Sequence, residues 1–107
     1  MVDITDNSAP QVTEEEFKQY AETMKARTDV VDKLSKDEKL KLYSLGKQGM
    51  EGDNVAAKPG ILAIKEKYKW KAWNKLKGMD KQIARNQFTQ YAKQVLKEWE
   101  WYLLAYF

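Results

Sequence analysis

Residues 61–78 read ILAIKEKYKWKAWNKLKG, and this stretch constrains the fold more tightly than any other. Its apolar residues recur at intervals of three and four, the pattern of an amphipathic helix advancing about 100° per residue. On that projection Ile61, Leu62, Ile64, Tyr68, Ala72, Trp73 and Leu76 share one broad face. Lys65 and Lys69 project into the same face. A lysine can lay its methylene stem along apolar surface and lift its ammonium to water. An ammonium that stays half-surrounded by apolar groups is costly unless an anion meets it. A pair of such lysines one turn apart favours the anion.

The preceding stretch, DEKLKLYSLGKQGM over residues 37–50, repeats the theme. As a helix it groups Leu40, Tyr43 and Met50 on one side, with Lys47 between Tyr43 and Leu40. Tyr43 and Lys47 are four residues apart and therefore neighbours on one helix face. A phenol beside an ammonium, both rooted in apolar surface, suits a phosphate attached to an aliphatic or aromatic group. The residues thus point to an anionic amphiphile.

Taken in order, Tyr43-Ser-Leu-Gly46-Lys47-Gln48, Gly52-Asp53, Lys58-Pro59-Gly60, Lys69-Trp70-Lys-Ala-Trp73-Asn74 and Leu76-Lys77-Gly78 form a set whose spacing resembles the acyl-CoA-binding protein family. The similarity runs from about Phe17 to Trp99, and the block from Tyr43 to Gly78 carries most of it. The resemblance implies an all-α fold, a four-helix bundle in up-down-down-up order, and an acyl-CoA thioester as ligand without any cofactor. It implies that Tyr43, Lys47 and Lys69 meet the 3′-phosphorylated adenosine end of coenzyme A, with Lys25, four residues after Ala21, as a further contact. Ala21, Gly46, Lys65 and Phe88 complete the expected ligand-binding set. Two of these depart from the family pattern. Gly46 stands where the family usually has a second tyrosine, which removes an aromatic wall unless Tyr20 or another ring supplies one. Phe88 stands where a tyrosine is usual, so the ring is kept and a hydroxyl is lost. One ordinary hydrogen bond is worth about 0.5–1.5 kcal/mol, which touches affinity more than function.

At 107 residues the chain is one domain by length, and 43% hydrophobic with 33% charged residues is the composition of a folded helical protein. There is no cysteine, so disulfides and thiolate metal sites are excluded. There is no histidine either, which removes the commonest metal ligand and general base. Ser8, Ser35 and Ser44 have no evident activating partner, so no catalytic activity is expected. The beginning MVDITDNSAP lacks the basic and apolar regions of a secretory signal. The longest apolar run, Trp101 to Phe107, falls far short of the ~18 residues that span a bilayer, and the expected setting is the cytosol. A net charge of +3 is mild and fits an anionic partner without naming it.

Along the chain, residues 1–12 read as a mobile leader and residues 13–99 as the ligand-binding domain. Thr13-x-x-Glu16 has the form of a capping box, and Phe17, Tyr20, Ala21 and Met24 then predict a helix over about Glu14–Arg27. Thr28 to Leu34 carries no period and reads as a connection, while Ser35-x-x-Glu38 opens the second helix. Gly52 to Pro59 reads as turn and loop, and Gly78 as the residue just past the third helix. Asp80 caps a fourth helix with the clearest period in the chain, from Ala84 through Phe88, Ala92 and Val95 to Trp99. No strand pattern and no repeat is present. Trp73 is assigned to the core and Trp70 to a second packing seam.

A basic and aromatic alternation such as KEKYKWKAWNKLK also occurs in nucleic-acid binders, the alternative reading, although no recognised nucleic-acid fold pattern accompanies it. Residues 100–107 extend the last helix with apolar side chains that need a cover. That cover is the domain itself, a second copy, or a membrane surface, and the expected state is a monomer.

Overall fold

The computed structural model describes the backbone of residues 11–106 and the side chains of residues 11–98. Most of the expected leader lies outside the described residues, as do the side chains of the expected extension at residues 100–107. Among the described residues five helices follow one another: α1 (Glu14–Ala26), α2 (Thr28–Val31), α3 (Lys36–Glu51), α4 (Ile64–Asn74) and α5 (Lys81–Tyr106). No strand occurs among the described residues.

The starts of α1, α3 and α5 each have a local cause. The Thr13 hydroxyl accepts from Glu16 N at 3.1 Å, and Glu14, Glu15 and Glu16 complement the positive end of α1. Ser35 and Glu38 close a full capping box at the start of α3. Asp80 Oδ1 accepts from Gln82 N at 2.8 Å at the start of α5. Helix α4 has no side-chain cap, since Ala63 stands at that position.

Three expectations need correction. The Thr28–Leu34 connection contains α2, a helix too short to show a period, which buries Val30. Helix α4 is shorter at both ends than the stretch from Ile61 to Gly78. Ala63 N bonds back to Gly60 O at 3.0 Å, so Ile61 and Leu62 belong to a turn. Beyond Asn74 the chain tightens into turns that end at Gly78, held at φ 93°. The leader does not stay loose to its end: Val12 N donates to Asn86 Oδ1 at 3.0 Å and Gln82 Nε2 donates to Val12 O at 2.7 Å.

The core lies between α1, α3 and α5. Phe17 is fully buried and meets Phe88 edge to face, ring centroids 5.4 Å apart. Ala21, Met24, Leu42, Leu45, Ala92 and Val95 pack around them, and Val30 adds a contribution from α2. Burying one such large side chain is worth about 1.5–3 kcal/mol. Helix α4 fully buries only Trp73 and leans on the outer side of α3.

Residue pairings fix the directions. Gly49 meets Arg85, Gly46 meets Phe88 and Glu38 meets Tyr91, so α3 and α5 are antiparallel. Val12 meets Asn86 and Glu16 meets Lys93, so α1 and α5 are parallel. Lys36 meets Tyr68, Tyr43 meets Lys69 and Lys47 meets Trp73, so α3 and α4 are parallel. The four long helices therefore run up, down, down, up, with α2 as an added turn.

Candidate functional site

Parallel packing of α3 and α4 forces the chain to travel back the length of a helix between them, and polar side chains hold that return in place. Trp73 Nε1 donates to Gly52 O at 2.9 Å and Trp70 Nε1 to Ala56 O at 2.8 Å. Buried Asn54 accepts from Ala56 N at 2.8 Å. Gln48, also buried, donates to Asp53 Oδ1 at 2.9 Å and to Met79 O at 2.8 Å. Trp73 is thus a core residue, and Trp70 pins the loop. With both indole N–H groups committed to the loop and Trp73 buried, this face offers little for stacking exposed bases.

A cleft of about 690 Å³ opens between α1, α2, α3 and α5. Helix α1 supplies Ala21, Met24 and Lys25; Thr28 and Val31 of α2 close one end. Helix α3 supplies Leu42, Tyr43, Gly46 and Met50 along its length, with Lys39, Lys47 and Glu51. Phe88 of α5 also lines the cleft. The result is an apolar trough whose charged groups are mainly lysines, the surface that an amphiphile with an anionic head requires.

Six of the expected residues come together there: Ala21, Lys25, Tyr43, Gly46, Lys47 and Phe88. Lys69 does not line the trough itself. It reaches across from α4, with Nζ 5.3 Å from the centre of the Tyr43 ring, and no carboxylate pairs with it among the described residues. Lys65 is not brought into the cleft; it lies exposed on α4, one turn before Lys69. The apolar face expected around these two lysines is not a buried one, because Ile61, Leu62, Ile64 and Tyr68 are all exposed. The turn at Ile61–Leu62 breaks the helical phase on which that face depended.

The lysines are held lightly. Lys47 pairs with Glu51 one turn on, and its Nζ lies 4.8 Å from the centre of the Trp73 ring. Lys25 Nζ is 3.8 Å from Glu22 on an exposed surface. Such pairs are worth about 0–1 kcal/mol, so an incoming anion can displace them at little cost.

Gly46 shapes the trough beside Phe88. A Cβ there would lie 3.4 Å from Phe88 Cε2, at ordinary contact. The missing side chain leaves room next to the ring, and among the described cleft residues the aromatic rings are those of Tyr43 and Phe88. Met24, Leu42, Met50, Thr28, Val31 and Lys39 were not among the expected site residues. Met24 was visible on the apolar stripe of α1 and Met50 on that of α3. Val31 and Thr28 gave no signal, because α2 is too short for one.

The chain's similarities agree with this geometry. The family model described as acyl CoA binding protein matches residues 14–92. The acyl-CoA-binding protein of Saccharomyces cerevisiae is 39% identical over 80 residues, which cover 75% of this chain and 92% of that protein. The Drosophila melanogaster acyl-CoA-binding protein homolog is 43% identical over 79 residues, 74% of this chain and 88% of its own. Among solved structures, Oryza sativa acyl-CoA-binding protein 2 superposes with a TM-score of 0.72 at 37% identity, covering 80% of this chain and 92% of that one. A Moniliophthora perniciosa counterpart gives a TM-score of 0.75 at 27% identity, covering 83% and 85%.

Proposed function

Because this chain belongs to the acyl-CoA-binding protein family, we propose that it binds medium- to long-chain acyl-CoA thioesters and carries them through the cytosol as a pool. The observation that supports this most is the trough itself, apolar along Met24, Leu42 and Phe88 and bordered by Lys25 and Lys47. The acyl chain lies along the apolar residues, and each buried methylene contributes about 0.8 kcal/mol. Affinity therefore rises with chain length until the trough is full. The 3′-phosphorylated adenosine end meets Tyr43, Lys47 and Lys69, where ammonium-to-phosphate hydrogen bonds are of the stronger, charge-assisted kind. Lys25 closes on the polar part of the ligand from α1, while Lys65 stands outside the trough and adds only long-range attraction. The role is binding and transfer, with no bond made or broken in the ligand.

Calorimetry with free coenzyme A and a series of acyl-CoA lengths tests this reading. Lys69→Ala is expected to weaken both ligands by about 1.5–3 kcal/mol, the scale for a hydrogen bond to a charged group. The melting temperature should scarcely move, because Lys69 is exposed. Unchanged affinity for both ligands would remove Lys69 from the site. Absence of any chain-length dependence would remove the trough.

A further inference from the structure

The beginning of α4 carries a second surface that acyl-CoA binding leaves unused. Ile61 and Leu62 are 82% and 92% exposed at the apex of the turn, Ile64 is 63% exposed and Tyr68 44%. Ile61, Ile64 and Tyr68 form the apolar lining of a shallow hollow of about 290 Å³, completed by Lys67 and Lys71. None of these residues lines the trough. Lys36, at the start of α3, sits with Nζ 3.3 Å above the Tyr68 ring and extends the basic surface across to that helix.

Scattered apolar residues on a surface mean little, but aliphatic side chains clustered at a protruding turn mark a contact. The charge around them says which contact. From Lys58 to Gly78 there are seven lysines and a single acid, Glu66. A second copy of this chain would oppose lysines to lysines. A lipid surface bearing negative headgroups instead takes the aliphatic tip into its headgroup and acyl boundary while the lysines stay at phosphate level. Juxtamembrane lysines draw on the negative surface potential, and that attraction is screened by salt.

We infer that the Gly60–Ala63 turn and the first turns of α4 form a docking surface for an anionic lipid membrane, with Ile61, Leu62 and Ile64 inserted and Lys58, Lys67 and Lys71 facing headgroup phosphates. The surface is separate from the trough, so docking and ligand binding fail independently.

Co-sedimentation of the full chain with vesicles of phosphatidylcholine, alone or with about 30% phosphatidylserine, reads this directly. Binding to the anionic vesicles is expected to be roughly tenfold stronger or more and to weaken as salt is added. The double variant Ile61→Asp with Leu62→Asp, and separately Lys58→Glu with Lys67→Glu, should each lower anionic-vesicle binding about tenfold or more. Both should keep most of their acyl-CoA affinity in vesicle-free solution, losing only the screened long-range attraction of the charges that were changed. Equal binding to neutral and anionic vesicles overturns the proposal, as do variants that sediment like the wild type. Loss of acyl-CoA affinity in the Ile61 and Leu62 variant assigns the face to the ligand instead. A wild-type dimer that this variant dissolves in sedimentation velocity assigns it to self-association.

Discussion

Gly46 and Gly49 lie three residues apart on α3, and the same added methyl meets opposite conditions at each. At Gly46 a Cβ reaches Phe88 Cε2 at 3.4 Å and Cδ2 at 3.6 Å, ordinary packing distances. At Gly49 it falls 2.8 Å from Phe17 Cζ and 3.0 Å from Arg85 Cγ. Phe17 cannot retreat, because it is fully buried and locked against Phe88. Arg85 is held as well, with Nε donating to Gly49 O at 2.8 Å. Gly46→Ala is therefore expected to stabilise the protein by about 0.5–1 kcal/mol through helix propensity. Gly49→Ala should destabilise it by about 1–3 kcal/mol through overpacking. Urea denaturation of the two variants checks the pair, and two shifts of the same sign would contradict this account of the α3–α1 contact. Glycine at position 46 thus leaves space in the trough and weakens the helix that frames it.

The return between α3 and α4 shows how one carboxylate organises an element. Asp53 Oδ1 accepts from Gly78 N at 2.8 Å and from Gln48 Nε2 at 2.9 Å, tying the loop after α3 to the turn after α4. The Gly78 amide, then the Gln48 amide, then the nearby Lys77 charge hold its carboxyl below the usual aspartate range. A folded value below the unfolded one means that this tie is at full strength above the ordinary aspartate range. It is lost as pH falls through the lowered folded value. The protection of the Gly78 amide, taken relative to its intrinsic exchange rate at each pH, should fall across that acid window, and Asp53→Ala should leave it low throughout. A Gly78 amide that stays protected in the variant would place the tie elsewhere. Elements of this kind were unevenly legible in the sequence. The starts of α1, α3 and α5 were readable because a single side chain, Thr13, Ser35 or Asp80, closes each one. The start of α4 was not, because Ala63 leaves no cap and apolar Ile61 and Leu62 mimic a further helical turn. Helix α2 escaped notice because four residues cannot display a period.

Across the whole molecule, periodicity gave the number of long helices but not their directions; these rest on pairings such as Lys36 with Tyr68 and Gly49 with Arg85, which no local pattern encodes. The face of α3 carrying Tyr43, Lys47 and Met50 was legible, yet it is the cleft face, and the core uses Leu45 together with Leu42, which also lines the cleft. The reach of α5 raises the remaining question of scale. Its 26 residues span about 39 Å, and the helix continues through residues 99–106. Among the described residues, every one that lines the trough lies between Ala21 and Phe88, and the last core residue of α5 is Val95. A chain ending at Lys97 therefore keeps every described residue of the trough and of the core around it. Far-UV circular dichroism should show a folded helical protein, and calorimetry should give an acyl-CoA affinity within about twofold of the full chain, well under the ~1.4 kcal/mol that a tenfold loss represents. A tenfold loss in a chain that is still folded would bring the end of α5 over the trough and make it part of the acyl site.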